Sequence, residues 1–153
     1  MCSALSLVFI LFCMAGPAAF FQQGPTDCGE LQKVNTFEHI TRVIMTKTFE
    51  RKTGNKRYYD CILEAFARDK INESESVLNN TKIGKFSCPG FTHQYVKERY
   101  EMLNIFKFLM YAFGNWTEAH RDTLKNAVEY GCHYQWNVTS GKILCLFCNQ
   151  FLF

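Results

Sequence analysis

The sequence predicts one domain, mainly β with some helix and with antiparallel strands. A helix packed on an antiparallel sheet, an α+β arrangement, is the alternative. Three observations predict this. Residues 40–50 and 57–68 are two strand-like runs on either side of a Gly54-Asn55 turn, the pattern of a hairpin. Residues 132–136 and 142–147 form a second such pair around Val138-Thr139-Ser140-Gly141. Aromatic residues make up 16% of the 153, with 15 Phe, 7 Tyr and 2 Trp, which is roughly twice ordinary usage. That length allows one domain, and 48% apolar residues are enough to bury a core.

The elements follow in chain order. Residues 1–20 carry no charged side chain, and an apolar run over 4–15 precedes Gly16, Ala18 and Ala19. This is the form of a signal peptide with a small-residue cleavage site, so residues 1–19 are expected to be removed and 20–153 to be the secreted domain. A membrane span needs roughly 20 apolar residues, and Gln22-Gln23-Gly24 arrives too soon. Residues 28–39 place Leu31, Val34 and Phe37 at helical spacing. The run over 40–50 is rich in β-branched residues, with Val43, Met45 and Phe49 on one strand face; Tyr59, Cys61, Leu63, Ala65 and Ala67 alternate in the next run. Residues 69–74 read as a polar turn and 77–86 as a third, weaker strand. Over 93–113 a helical stripe (Val96, Tyr100, Leu103, Phe106, Met110, Phe113) competes with strand alternation. The reading is helix first and strand second. Thr117 as N-cap and Gly131 as stop predict a helix over 117–130.

Cleavage would leave Cys28, Cys61, Cys88, Cys132, Cys145 and Cys148, an even set in an oxidising compartment. Three disulfides follow. Cys145 and Cys148 have the spacing of a redox or zinc pair, and Cys132 and His133 could complete a metal set. On an extended strand, however, positions three apart face opposite ways, so the two cysteines should bond different partners. Four sequons begin at Asn72, Asn79, Asn115 and Asn137, pointing to a surface-glycosylated protein.

Much chemistry is excluded. The 17 basic residues face 14 acidic ones with no long basic run, giving a net charge of +3 and no stripe for nucleic acid. No nucleophile elbow, phosphate loop or zinc-protease motif is present, so no catalytic residue, metal or cofactor is expected among His39, His93, His120, His133 or elsewhere. The aromatic excess can fill a small core, or line a cavity for an apolar or cationic ligand.

Over residues 34–91 the chain resembles the tick salivary lipocalins, which include histamine-binding proteins. The resemblance rests on the stretch from Arg42 to Glu50, on Tyr58-Tyr59-Asp60-Cys61, and on Lys70-Ile71-Asn72-Glu73-Ser74. Cys132 to Cys145 looks like a later strand pair of that family. The family continues into a helix and a cysteine-bearing tail where this sequence stops. The resemblance implies a lipocalin-like antiparallel barrel, here incomplete, that sequesters an amine or lipid. On strand parity its cavity would be lined by Val43, Met45, Phe49, Tyr59 and Leu63, with Trp136 nearby and Glu64 as counter-charge to an amine. The expected function is capture of a hydrophobic or cationic small molecule by a secreted monomer that binds no membrane after cleavage. The alternative is an inhibitor or immune modulator that binds a host protein through its surface.

Overall fold

The computed structural model describes Cys28, residues 39–54, 56–96, 105–136 and 139–150, and Leu152. The expected signal peptide, Asn137, and residues 28–39 apart from Cys28 and His39 lie outside the described residues. In chain order the elements are α1 (His39–Thr53), β1 (Tyr58–Tyr59), α2 (Cys61–Lys70), α3 (Glu75–Asn79), β2 (Lys82–Ile83), β3 (Phe86–Ser87), β4 (Gly90–Val96), α4 (Ile105–Ala119), α5 (Arg121–Asn126), β5 (Glu129–Trp136) and β6 (Ser140–Cys148).

The strand β6 explains the layering. Its stretch Ile143-Leu144-Cys145-Leu146-Phe147-Cys148 is buried without interruption, the mark of a strand covered on both faces. Ile143, Cys145 and Phe147 join a cluster with Met45 and Phe49 of α1 and Phe108, Leu109, Ala112, Phe113 and Trp116 of α4. Leu144, Leu146 and Cys148 join a second cluster with Leu63 and Ala67 of α2, Ile71, and Leu78 of α3. A central sheet, in the order β1-β5-β6-β4, is thus sandwiched between two helical layers. β5 and β4 flank β6 antiparallel, while β1 runs parallel to β5. The hairpin over 129–148 is therefore present, and β2 and β3 form a separate two-stranded ribbon whose turn uses Gly84 at φ 59°.

The architecture is the α+β alternative. No barrel closes among the described residues: β1 and β4 are the edges of an open sheet. The strand expected over 40–50 is instead the middle of α1. Its buried positions Thr41, Arg42, Met45, Thr48 and Phe49 recur every three or four residues, a helical stripe that three polar members concealed. Packing overrode the β propensity of Ile40, Val43 and Ile44. The run over 57–68 divides at Asp60, whose carboxylate accepts from the N–H of Ile62 at 2.6 Å and of Leu63 at 2.9 Å. That N-cap turns the chain into α2 after only two strand residues.

Three further assignments change. Over 77–86 the chain forms α3 and the ribbon rather than one strand. In 93–113 the order is reversed, strand to Val96 and helix from Ile105. Finally, Thr117 lies inside α4, its hydroxyl donating to the Phe113 carbonyl at 2.6 Å. It does not cap a helix, and the segment from Glu129 is strand β5.

Three disulfides fasten the layers: Cys28–Cys61, Cys88–Cys148 and Cys132–Cys145. The last joins register partners on β5 and β6, with Cα atoms 4.0 Å apart, as in a non-hydrogen-bonded antiparallel pair. Cys145 and Cys148 thus face opposite layers and bond different partners.

Candidate functional site: a buried arginine, glutamate and tyrosine cluster

Gly131 brings α2 onto the sheet. A β-carbon there would collide with the Glu64 N–H, the Asp60 carbonyl and the Leu63 side chain, so the helix start rests directly on β5 at a residue that only glycine can supply. This contact seats Glu64 between α2 and the sheet edge. Arg42 reaches it from α1, with Nε 2.8 Å from Oε2 and Nη2 2.9 Å from Oε1. The Tyr59 hydroxyl donates to Glu64 Oε2 at 2.6 Å and lies 3.1 Å from the Cys132 carbonyl oxygen, while the Cys132 N–H donates to it at 3.4 Å. β1 pairs with β5 only at residues 58 and 59. The phenol continues that pairing one step further, occupying the backbone edge of Cys132.

Arg42 and Glu64 are 1% and 0% exposed. Burial opposes the Arg42 charge, but the hydrogen bonds and charge of Glu64 outweigh it and raise the guanidinium pKa. Burial, reinforced by the Glu64 charge, pushes the Tyr59 phenol well above its ordinary range, so it stays protonated and remains a donor. The result is a two-point ion pair with its acceptors filled. It works as a clamp between both helical layers and the sheet edge.

The expected ligand-binding residues do not converge on one site. Tyr59 and Glu64 do meet, but Arg42, which sequence reasoning missed, already neutralises the carboxylate. The available signal was a lone cation inside the apolar run over 40–45. Met45 and Phe49 are fully buried on one face of the sheet and Leu63 on the other, so they cannot line one cavity. The Phe49 ring packs against Tyr130, Phe113 and Phe147 at centroid distances of 4.8, 5.6 and 5.6 Å. Val43 is half-buried on α1, and Trp136, also half-buried, stands edge-on to Phe108 at 5.4 Å. The strand parity behind this set fails because α1 and α2 are helices.

Other candidates are also placed. His120 stacks on Phe91 at 3.9 Å, and His93 lies 5.4 Å from Phe108. Burial lowers the pKa of His93. Among the described residues no three His, Cys, Asp or Glu side chains are grouped to hold a metal ion, and no helix is long and apolar enough to cross a membrane. Asn72, Asn79 and Asn115 are exposed.

Comparison with curated proteins returns no match. Among solved structures the chain is similar to Ancylostoma-secreted protein Ac-ASP-7, at 14% identity and a TM-score of 0.39, covering 68% of this chain and 63% of that one. It is also similar to a structure titled manganese-bound Ac-ASP-7, at 14% identity and a TM-score of 0.42, covering 70% and 65%. The chain thus spans less than two thirds of the length of either. Residues 28–147 match a family model that is not that of the tick lipocalins, and this overturns the resemblance drawn from short motifs. Those motifs fall on α1, on the α2 cap and on a turn rather than on barrel strands. The matched segment includes the whole clamp, all the described helices and the sheet up to Phe147, and by it the chain belongs to the Ancylostoma-associated secreted protein related family.

Proposed function

We propose that this member of a secreted-protein family is an extracellular binding protein that acts on another protein, as an inhibitor or modulator, through its outer surface. It works as a monomer, uses no cofactor and catalyses no reaction. The observation that carries the reading is the state of Glu64. Both of its oxygens are engaged by Arg42 and Tyr59, so an amine would have to break a buried ion pair to reach it, at a cost of several kcal/mol. Among the described residues, Phe49, Tyr130 and Phe147 pack ring on ring in the core, which supports a filling role for these aromatics. Recognition is then left to the exterior. There the exposed side of α1 carries Lys47, Arg51 and Lys52, followed by Lys56, a basic surface complementary to an acidic patch on a protein partner.

Thermal melting with histamine, serotonin and palmitate tests this reading. The melting temperature should not move with any of the three. A ligand at 100 times its Kd stabilises a fold by about 2.7 kcal/mol, and a shift of that size would return the protein to the small-ligand class.

A further inference from the structure

Tyr111 projects from α4 with 67% of its surface exposed, while the opposite side of the helix buries Phe108, Leu109, Ala112, Phe113 and Trp116. One turn later stands Asn115, also exposed, in the sequon Asn115-Trp116-Thr117. Helical side chains lean toward the N-terminus, over the turn that precedes them. The Asn115 amide is therefore carried back toward the Tyr111 ring, its neighbour at i, i+4 spacing. Exposed Lys107 lies one further turn back on the same face. The other described sequon asparagines lack this arrangement: four residues before Asn72 and Asn79 stand Arg68 and Glu75.

We propose that Asn115 carries an N-linked glycan whose first N-acetylglucosamine lies across the Tyr111 ring. The Asn115 amide nitrogen would bond to C1 of an oligosaccharide donated from a polyprenyl pyrophosphate. The C1–O bond to the pyrophosphate breaks, the pyrophosphate leaves with the bonding electrons, and the amide gives up one proton. The transfer precedes folding, and α4 then forms with the sugar already attached. The C–H face of the pyranose packs on the phenol ring, and Lys107 can donate to the N-acetyl carbonyl. The occupant of the exposed aromatic is then the chain's own modification. The inference rests on secretion, which it shares with the proposed function, but not on the partner class.

The test uses the full chain secreted from a eukaryotic host, with Asn72, Asn79 and Asn137 changed to Gln so that one sequon remains. Peptide mass mapping after glycosidase treatment in heavy-oxygen water should find Asn115 converted to a labelled aspartate. Trimming the glycan to its first sugar should leave the melting temperature unchanged, and complete removal should lower it by about 2–4 °C. In Tyr111→Ala, complete removal should produce no further fall. An unmodified Asn115 in the secreted protein overturns the proposal. So does a removal effect that is absent from the parent, or one that persists undiminished in Tyr111→Ala. None of these outcomes bears on whether small molecules bind, which the melting series above decides.

Discussion

Arg42 and Glu64, separated by 22 residues in sequence, meet in a two-point ion pair that is closed to solvent. The pair ties α1 to α2 where the sheet has its shortest strand, and Tyr59 carries the connection to the backbone of Cys132. A buried pair of this kind contributes little net stability compared with apolar packing, because both ions give up water. Its expected consequence is specificity, because any other register of α1 would leave Arg42 and Glu64 buried without each other.

Removing one partner should therefore be far worse than replacing both. Glu64→Gln strands the Arg42 charge and is expected to cost about 3–5 kcal/mol in urea unfolding. The double change Arg42→Met with Glu64→Leu should cost less than the sum of the two single changes. Tyr59→Phe loses the hydroxyl that reaches Glu64 and Cys132, at about 1.5–3 kcal/mol. Equal and additive losses for the two single changes would contradict the clamp.

Two glycines should respond in opposite directions. Gly131→Ala places a methyl group against the backbone of Asp60 and Glu64, which cannot move without lifting α2, so a loss of about 1–3 kcal/mol or more is expected. Gly114 lies inside α4, and among the described residues a β-carbon there would meet, outside its own helix backbone, the Lys52 ammonium at 3.9 Å. Gly114→Ala should raise stability by about 0.5–1 kcal/mol through helix propensity. Denaturant midpoints at constant slope would report both.

What was readable in the sequence was set by which interactions are local. The β5–β6 hairpin could be read because its pattern and its turn lie within one short stretch. The opposed partners of Cys145 and Cys148 followed from strand geometry alone. The helix α1 was unreadable because its buried stripe contains Thr41, Arg42 and Thr48, and burying Arg42 makes sense only once Glu64 is known to face it. The Asp60 cap went unread because Tyr59, Cys61 and Leu63 alternate well enough to imitate a strand. The clamp was half visible: Glu64 and Tyr59 were singled out, for a ligand that Arg42 replaces.

The disulfides should differ in worth according to the loops they close. Cys88–Cys148 spans 60 residues and Cys132–Cys145 spans 13. On the chain-entropy account the first restricts the unfolded chain by about 4 kcal/mol and the second by about 3 kcal/mol. Paired Cys→Ala variants compared in guanidinium should show the larger loss for Cys88 and Cys148. A reversed ranking would mean that local packing on β5 and β6 outweighs loop closure. In the parent, thiol titration under denaturing, non-reducing conditions should find the six cysteines from Cys28 to Cys148 unreactive.

Stability should fall as the pH drops below neutral, and the sign follows from two opposed groups. Burial lowers the pKa of His93 and of His133, and in His133 this outweighs the attraction of Glu64 and Asp69. Above the ordinary imidazole value of 6.5 both folded and unfolded rings are neutral and nothing changes. Below it the unfolded chain takes up protons that the folded rings resist, so the folded state loses ground until their depressed pKa values are passed. Glu129 acts the other way. Burial raises its carboxyl above the ordinary 4.5, against the N–H of Leu152 and with help from Asp60. The folded state therefore binds the extra proton in that window, and stability rises as pH falls through it. Urea midpoints measured from pH 7 down to about 4.5 should decline in the parent and decline less in His133→Gln and His93→Gln. In Glu129→Gln, where the compensating uptake is gone, the decline should be steeper. A decline left unchanged by both histidine variants would show that other groups drive the acid loss.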